Sequence, residues 1–410
     1  METENMSLST AAMDILINDS VSPRSNGTMM RSQSEFDQKG YIRISLYSII
    51  FILSVVGNGL VILTLAQNHR MRTVTNVFLL NLSISDLLLA VFCMPFTIIP
   101  QLMRKFIFGE FMCITIRYFQ AVSVGVSCFT LVTISLERYF AIVEPLRSRR
   151  WQTRSHSYKC IMGIWCVAFT LMIPIAASQD LIRVGHRKHY ACREIWPEKL
   201  KKVEIVYSVS LCAILFIVPL FIMALAYGRI AYRLWADITQ QFSDNAEGVQ
   251  SKLSVTSKKE EENTPMSTPL RCQQKNGDHI SLRHSNMRHS ISSRRRVIKM
   301  LSVIVLEYFV CWTPLYVCST WMIIHYPSIH DRVSNLAWGL MLLLAYVSSF
   351  VHPVTYCFMN KNFRKGFVSV FKCFLKSRLT SQTEMSNMMA TSSPTVRFQS
   401  TEYTRVQSID

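Results

Sequence analysis

Residues Ile42 to Ala66 read IRISLYSIIFILSVVGNGLVILTLA, and Gln67 to Arg72, which follow at once, read QNHRMR. An apolar stretch of about 20 residues crosses a hydrocarbon core about 30 Å thick, and no water inside that core competes for the backbone, so such a stretch must be helical. The segment 42–66 is therefore predicted to be a membrane-spanning helix that ends in a basic cluster.

Working outward, runs of the same kind occupy 76–102, 111–143, 158–179, 203–235, 297–325 and 334–358, which makes seven. The chain is 50% hydrophobic and 17% charged, and its many apolar runs cannot all be packed inside one water-soluble core. The fold class is an all-α membrane protein, a seven-transmembrane helix bundle. Basic clusters fix its orientation: His69 to Arg72, Arg147 to Arg150 with Arg154 and Lys159, Arg294 to Arg296 with Lys299, and Lys361, Arg364, Lys365 and Lys372. All fall on one side under a seven-span reading, and the positive-inside rule makes that side cytoplasmic. Residues 1–40 are then an extracellular tail and 41–236 carry helices one to five. Residues 237–291 lack apolar content and are expected to form a disordered third cytoplasmic loop. Residues 292–358 carry helices six and seven, and 376–410 form a Ser- and Thr-rich disordered cytoplasmic tail. Between them, 359–375 place Phe363, Phe367, Val370 and Phe371 on one face with basic residues opposite, an amphipathic juxtamembrane helix lying on membrane lipid.

A net charge of +18 raises nucleic acid as a partner, but the Lys and Arg residues sit in short clusters between spans rather than on a domain face, which excludes it. Of the 12 cysteines most lie inside apolar runs and act as small hydrophobes; Cys113 and Cys192 are the two placed for a bridge. Cys373 is a palmitoylation site or an unmodified interfacial thiol. The N-terminal tail carries acceptor sequons at Asn5, Asn18 and Asn26, and shows no basic segment followed by an apolar one. Glycosylation is expected there, and the first span is expected to direct its own insertion. A transporter is the alternative of another class, but no internal repeat and no inverted symmetry of the kind transporters show is visible. No nucleophile and base pair, phosphate loop or metal spacing appears, so the chain is not read as an enzyme, and no cofactor is called for.

Ionisable or strongly polar residues inside a span cost several kcal/mol and are functional hypotheses by default. Asn58, Asp86, Gln120, Glu137, Arg138, Glu307 and His352 make up most of that set. Gly57-Asn58, Leu82 to Leu87 around Asp86, Glu137-Arg138-Tyr139, Trp165, Pro219 with Tyr227, Cys311-Trp312-Thr313-Pro314 and His352-Pro353-Val354-Thr355-Tyr356 resemble the signatures of rhodopsin-like G-protein-coupled receptors, in order and spacing over 41–375. The resemblance implies a plasma-membrane receptor whose bundle shifts between two packings, with heterotrimeric G protein, arrestin and receptor kinases as partners. Pro219, Pro314 and Pro353 each remove a backbone donor and bend a helix, as a hinge or as a static kink. Trp312 is large enough to repack the helix below it when it turns, and Arg138 pairs with Glu137 at rest.

Two departures stand out. Ser292 to Arg296 carry no acid, so the cross-helix ion pair of some relatives cannot form, and basal activity is expected not to be very low. His352 stands where the family has Asn, beside Asp86, Ser127 and Ser348, which in relatives hold an allosteric sodium ion. Signalling is therefore expected to be less sodium-dependent and more pH-dependent than in relatives, unless the imidazole is a packing substitute.

The stretches Arg70 to Asn76, Phe92 to Phe96, Phe106 to Gly109, Ile134 to Tyr139, Trp151 to His156 and Phe358 to Lys361 are most similar to cholecystokinin, gastrin and sulfakinin peptide receptors. That resemblance implies an extracellular amidated peptide ligand and a calcium-mobilising Gq-class G protein. Gln120 suits a C-terminal carboxamide, or bonds between helices. No Asp stands there for an amine, and Tyr346 replaces the lysine that retinal would need. Arg193, next to Cys192, is in the place of the residue that meets a sulfated tyrosine, and Arg104, Arg117, Arg183, Arg187 and Lys188 add positive charge at the mouth. Arg117, Gln120, Arg193, Trp312, Tyr316, Ser319 and Tyr346 form the expected ligand site. Asp86, Glu137, Arg138, Tyr139, Tyr227, Trp312, Pro314, His352, Pro353 and Tyr356 form the expected switch. Ser319 and Met322 replace the Asn and Arg of cholecystokinin receptors on span six. The stretch Cys192 to Pro197, with Gln120, also resembles receptors for neuropeptide FF and other RFamide peptides, where Glu194 and Glu198 would meet a cationic ligand.

Overall fold

The computed structural model describes residues 26–103, 105–184, 189–259, 274–324 and 335–372, with the backbone alone for 26–40, 241–259, 274–294, 323–324 and 335–336. Among the described residues seven helices are long and apolar enough to cross a membrane: Tyr41–Gln67, Val74–Met103, Gly109–Val143, Arg154–Ala177, Glu198–Gln240, Arg295–Met322 and Ala337–Met359, called here spans one to seven.

Span one shows why these helices need lipid around them. Its enclosed side chains include Ser54, Asn58 and Thr64, while Ile52, Val56 and Leu63 lie on the exposed face. In hydrocarbon an exposed apolar side chain costs nothing, and polar groups turn inward to bond between helices. Asn58 Nδ2 accordingly donates to Ser349 O on span seven at 2.8 Å, and Ser54 Oγ to Ser349 Oγ at 3.0 Å. At the same crossing a Cβ on Gly57 would stand 2.9 Å from Pro353 Cβ, so the glycine lets the two backbones meet. Asn81 ties three spans, accepting from Trp165 Nε1 at 2.9 Å and donating to Thr130 Oγ1 at 2.8 Å. Span three runs through the centre, packed on spans two, four and five, and span six packs on seven.

Prolines shape the helices differently. A π turn, Leu88–Cys93, precedes Pro95, and another, Ala213–Ile217, precedes Pro219. A π turn absorbs the clash between a proline ring and the carbonyl one turn back. Pro314 and Pro353 lie inside uninterrupted helices.

Two expectations need correction. The segment expected to be a disordered loop, 237–291, continues the fifth helix as far as Lys259 and begins the sixth at Gln274, with 260–273 outside the described residues. Extending a helix that an apolar span has already nucleated costs far less than starting one, and Lys, Glu and Gln are good helix formers. The same reasoning applies to the N-terminal tail, where the first helix begins at Asn26 rather than after residue 40. The expected helix after span seven is present over 361–372, with Phe363, Phe367 and Val370 buried and Phe371 exposed beside them.

The connection between spans four and five is a hairpin that the sequence reading did not anticipate. Strands β1 (Gln179–Val184) and β2 (His189–Glu194) pair antiparallel, with Asp180 opposite Arg193 and Leu181 opposite Cys192. A disulfide joins Cys192 to Cys113 at the head of span three, and Phe106 N–H donates to Tyr190 O at 2.7 Å. Asn5, Asn18, Arg104, Arg187, Lys188, Cys373 and the tail 376–410 lie outside the described residues, and Asn26 is described by its backbone alone.

Candidate functional site

Beneath the tethered hairpin the helices part around a cavity of about 190 Å³, lined by spans two, three, four, five, six and seven and by Glu194 of β2. A cavity of this size is small against typical ligand pockets. Its apolar lining includes Met172, Ile175, Leu211 and Leu315. Among its polar groups are Arg117 and Gln120, one turn apart on span three, Thr97 and Gln101 on span two, Tyr207 and Ser208 on span five and Ser319 on span six.

Five of the seven expected ligand residues line this cavity: Arg117, Gln120, Trp312, Tyr316 and Ser319. Tyr346 stands behind the wall, accepting from Gln120 Nε2 at 3.0 Å. Arg193 is not among the lining residues; its neighbour Glu194 is, and Glu194 Oε1 accepts from Trp196 Nε1 at 2.8 Å. Successive strand residues face opposite ways, so only one of the two can turn inward. Glu198 begins the short turn into span five and does not line the cavity. Thr97 and Gln101 were missed by the sequence reading, although two polar residues four apart in an apolar span were signal enough.

Aromatic side chains lead down from the cavity. Tyr316 packs 6.0 Å from Trp312, and Trp312 6.1 Å from Tyr308, between ring centroids. Tyr308 Oη donates to Leu215 O at 3.2 Å, and Cys128 Sγ approaches the same oxygen at 3.1 Å. Four residues on from Leu215 stands Pro219, which has no N–H to give, so spans three and six supply the donors that span five lacks.

Deeper in the bundle lie Asp86 and His352, both almost fully enclosed, with His352 Nδ1 2.9 Å from Asp86 Oδ2. Ser127 Oγ shares a hydrogen bond with Ser85 Oγ at 2.8 Å, while Ser348 Oγ donates to Ala345 O at 2.8 Å and accepts from Trp312 Nε1 at 3.2 Å. A sodium ion needs several oxygen ligands around a carboxylate. Here an imidazole nitrogen lies on one oxygen of that carboxylate, where the ion would bind, so these residues do not fit the ion in this packing. Glu307, also facing this region, accepts from Thr355 Oγ1 at 3.5 Å.

At the end of the bundle away from the hairpin, Arg138 Nη2 lies 4.0 Å from Glu137 Oε2, and Gln152 Nε2 donates to Glu137 O at 2.8 Å. Among the described residues Glu137 is the acid within ion-pair reach of Arg138. Tyr139 packs on Phe140, 5.2 Å between centroids, and Tyr356 stacks on Phe363 of the following helix at 5.5 Å. Tyr227 lies toward the interior, packed against the main core.

The family model of the 7 transmembrane receptor (rhodopsin family) matches residues 57–356. A cholecystokinin receptor of Xenopus laevis is 38% identical over 405 residues, covering 92% of this chain and 86% of its own length. The human cholecystokinin receptor type A is 41% identical over 348 residues, 81% of either chain. A gastrin/cholecystokinin type B receptor of the dog is 37% identical over 353 residues, 79% of this chain and 78% of its own.

Proposed function

The chain belongs to the rhodopsin family of seven-transmembrane receptors, multi-pass proteins of the plasma membrane, and on that premise we propose that it receives an amidated neuropeptide of the cholecystokinin and gastrin type. The observation that carries this reading is the pairing of Arg117 and Gln120 in the lining of the cavity. The apolar lining suits a terminal aromatic side chain and the polar groups suit the amide beside it. Relatives named as cholecystokinin receptors support the ligand class.

In this reading the N-terminus and the hairpin are extracellular. The peptide presses on Trp312 and Tyr316, span six bends about Pro314, and the end near Arg138 opens to a Gq-class heterotrimeric G protein and promotes nucleotide exchange on it. The basic segments Arg147 to Arg154 and Arg294 to Lys299 form the docking surface, receptor kinases and arrestin follow, and sugars on Asn5, Asn18 and Asn26 and a palmitoyl group on Cys373 complete the mature protein.

One observation favours a second reading. Glu194, not Arg193, lines the cavity, and a carboxylate there would meet the arginine of an RFamide peptide. Calcium responses of expressing cells to sulfated, desulfated and RFamide peptides separate the two. A nanomolar response to the sulfated peptide alone supports the first reading, a response to RFamides alone supports the second, and solute flux without nucleotide exchange would overturn both.

A further inference from the structure

Of the polar residues inside the spans, Glu307 is the one absorbed by neither a receptor signature nor the expected ligand site, and a carboxyl in hydrocarbon costs several kcal/mol unless it is held. It stands on the cytoplasmic half of span six, seven residues and about 10 Å before Pro314, on the arm that moves if the helix bends there. Tyr308 Oη ties this arm to Leu215 O of span five at 3.2 Å, and Thr355 Oγ1 of span seven ties it at Glu307 Oε2 by a long bond of 3.5 Å. The cytoplasmic end of the arm has no such tie to Arg138. Ser292 to Arg296 carry no acid, and among the described residues the acid within reach of Arg138 is Glu137 on its own helix, at 4.0 Å.

The other oxygen of Glu307, Oε1, is buried without a hydrogen-bond partner, as are Nε2 of His352 and Oη of Tyr356 on span seven. Asp86, His352 and Tyr356 all lie within electrostatic reach of the Glu307 carboxyl. His352 spends Nδ1 on Asp86 at 2.9 Å, so its second nitrogen is the one that remains for span six. Two carboxyls, from spans two and six, thus act on one imidazole of span seven. Swinging the arm outward carries Glu307 away from Thr355 and His352 and leaves buried polar atoms of span seven with one partner fewer. With an apolar side chain at 307 that partner is missing in both packings, and the difference between them disappears.

We propose that Glu307 is the latch of the agonist-free packing: bonded to Thr355 and facing His352, it keeps the cytoplasmic arm of span six on span seven and makes up for the acid that Ser292 to Arg296 lack. The inference rests on the receptor reading above, in which span six bends about Pro314.

The test is nucleotide exchange on G protein in membranes from cells expressing the full-length receptor, per receptor at the surface, without agonist and with saturating sulfated cholecystokinin-type or RFamide peptide. Glu307→Leu should raise the agonist-free rate roughly twofold to tenfold, the range of one lost hydrogen bond, and leave the agonist-stimulated rate near that of the wild type. Thr355→Val should act in the same direction and add little in the Glu307→Leu background. Glu307→Gln, which can still accept from Thr355, should lie between wild type and Glu307→Leu. An unchanged or lower agonist-free rate in Glu307→Leu would overturn the proposal, as would additive effects of the two substitutions. A loss of agonist-free and agonist-stimulated exchange alike would assign Glu307 to holding the fold, and overturn it too. If Glu307→Leu does not reach the surface, Glu307→Gln and Thr355→Val carry the test, and unchanged rates in both overturn the latch. A wild type that responds to neither peptide would sink the ligand reading instead, since the latch is decided by the agonist-free rates alone.

Discussion

His352 on span seven and Asp86 on span two hold each other across the bundle, imidazole Nδ1 to carboxylate Oδ2 at 2.9 Å, with side chains 2% and 4% exposed. The oxygen that a cation would take is covered from span seven. Binding of a labelled agonist is therefore expected to be equal in sodium chloride and in choline chloride at matched ionic strength. His352→Asn uncovers the carboxylate and should introduce a dependence on sodium. The same sodium dependence in both proteins would show that the imidazole does not exclude the ion.

Gly366, in the helix after span seven, lies against Thr64 of span one so closely that a Cβ there would overlap Thr64 Cγ2. Gly366→Ala must push the helix away from the bundle or strain it, at a cost of about 1–3 kcal/mol for an overpacked contact. Thr64→Ser removes the methyl concerned, so the double variant should recover most of the loss. Thermal unfolding of the four proteins in detergent gives the coupling between the sites. Strict additivity would mean that the helix slides aside at no cost and that the close approach is incidental.

How much of this was readable from the chain depends on where the constraint acts. A bilayer demands length and apolarity from each span locally, so the run 111–143 ends on the same residue as the helix Gly109–Val143. Gln120 and Asp86 were visible because a polar residue in an apolar run announces itself. The pairing of Asp180 with Arg193 was not, since it follows from the Cys113 tether and not from the composition of the loop. Nor was the choice between Arg193 and Glu194 as the cavity-facing neighbour, which depends on strand register. The carbonyl of Leu215 is the clearest omission: Pro219 shows that some backbone oxygen lacks a donor, but only the fold shows that Cys128 and Tyr308 supply one. The helical continuation through 237–259 was hidden because polar composition distinguishes poorly between a loop and an exposed helix.

Arg193 follows the bridged Cys192 and sits opposite Asp180 on the hairpin that roofs the cavity. Under the sulfated-peptide reading, a guanidinium there meets a sulfate outside the cavity, at the part of the ligand that does not enter it. A hydrogen bond to a charged group contributes about 1.5–3 kcal/mol, so Arg193→Ala should weaken the sulfated peptide roughly tenfold to a hundredfold. The desulfated peptide should lose little. Equal losses for the two peptides would assign Arg193 to holding the hairpin in place. Under the RFamide reading it is Glu194→Gln that should weaken the ligand, and Arg193→Ala should leave it unchanged.

Tyr308 and Cys128 meet at one oxygen, Leu215 O, 3.2 and 3.1 Å away, and so join spans three, five and six at the point that Pro219 leaves short of a donor. Tyr308→Phe keeps the ring beside Trp312 and removes only the hydroxyl. Because Cys128 still reaches the carbonyl, the loss of stability should be about 1 kcal/mol, the usual net worth of one hydrogen bond. Cys128→Ala alone should cost a similar amount. The double variant should lose more than the sum, because only then is a buried carbonyl left with no donor, and the unmade bond costs more than a redundant one contributes. In the packing described, Arg138 is held near Glu137, and the Tyr308 bond ties span six to span five in that same packing. Loosening it should raise nucleotide exchange without agonist in Tyr308→Phe, and more so in the double variant. Additive melting temperatures together with unchanged basal exchange would show that the three helices are held by apolar packing alone.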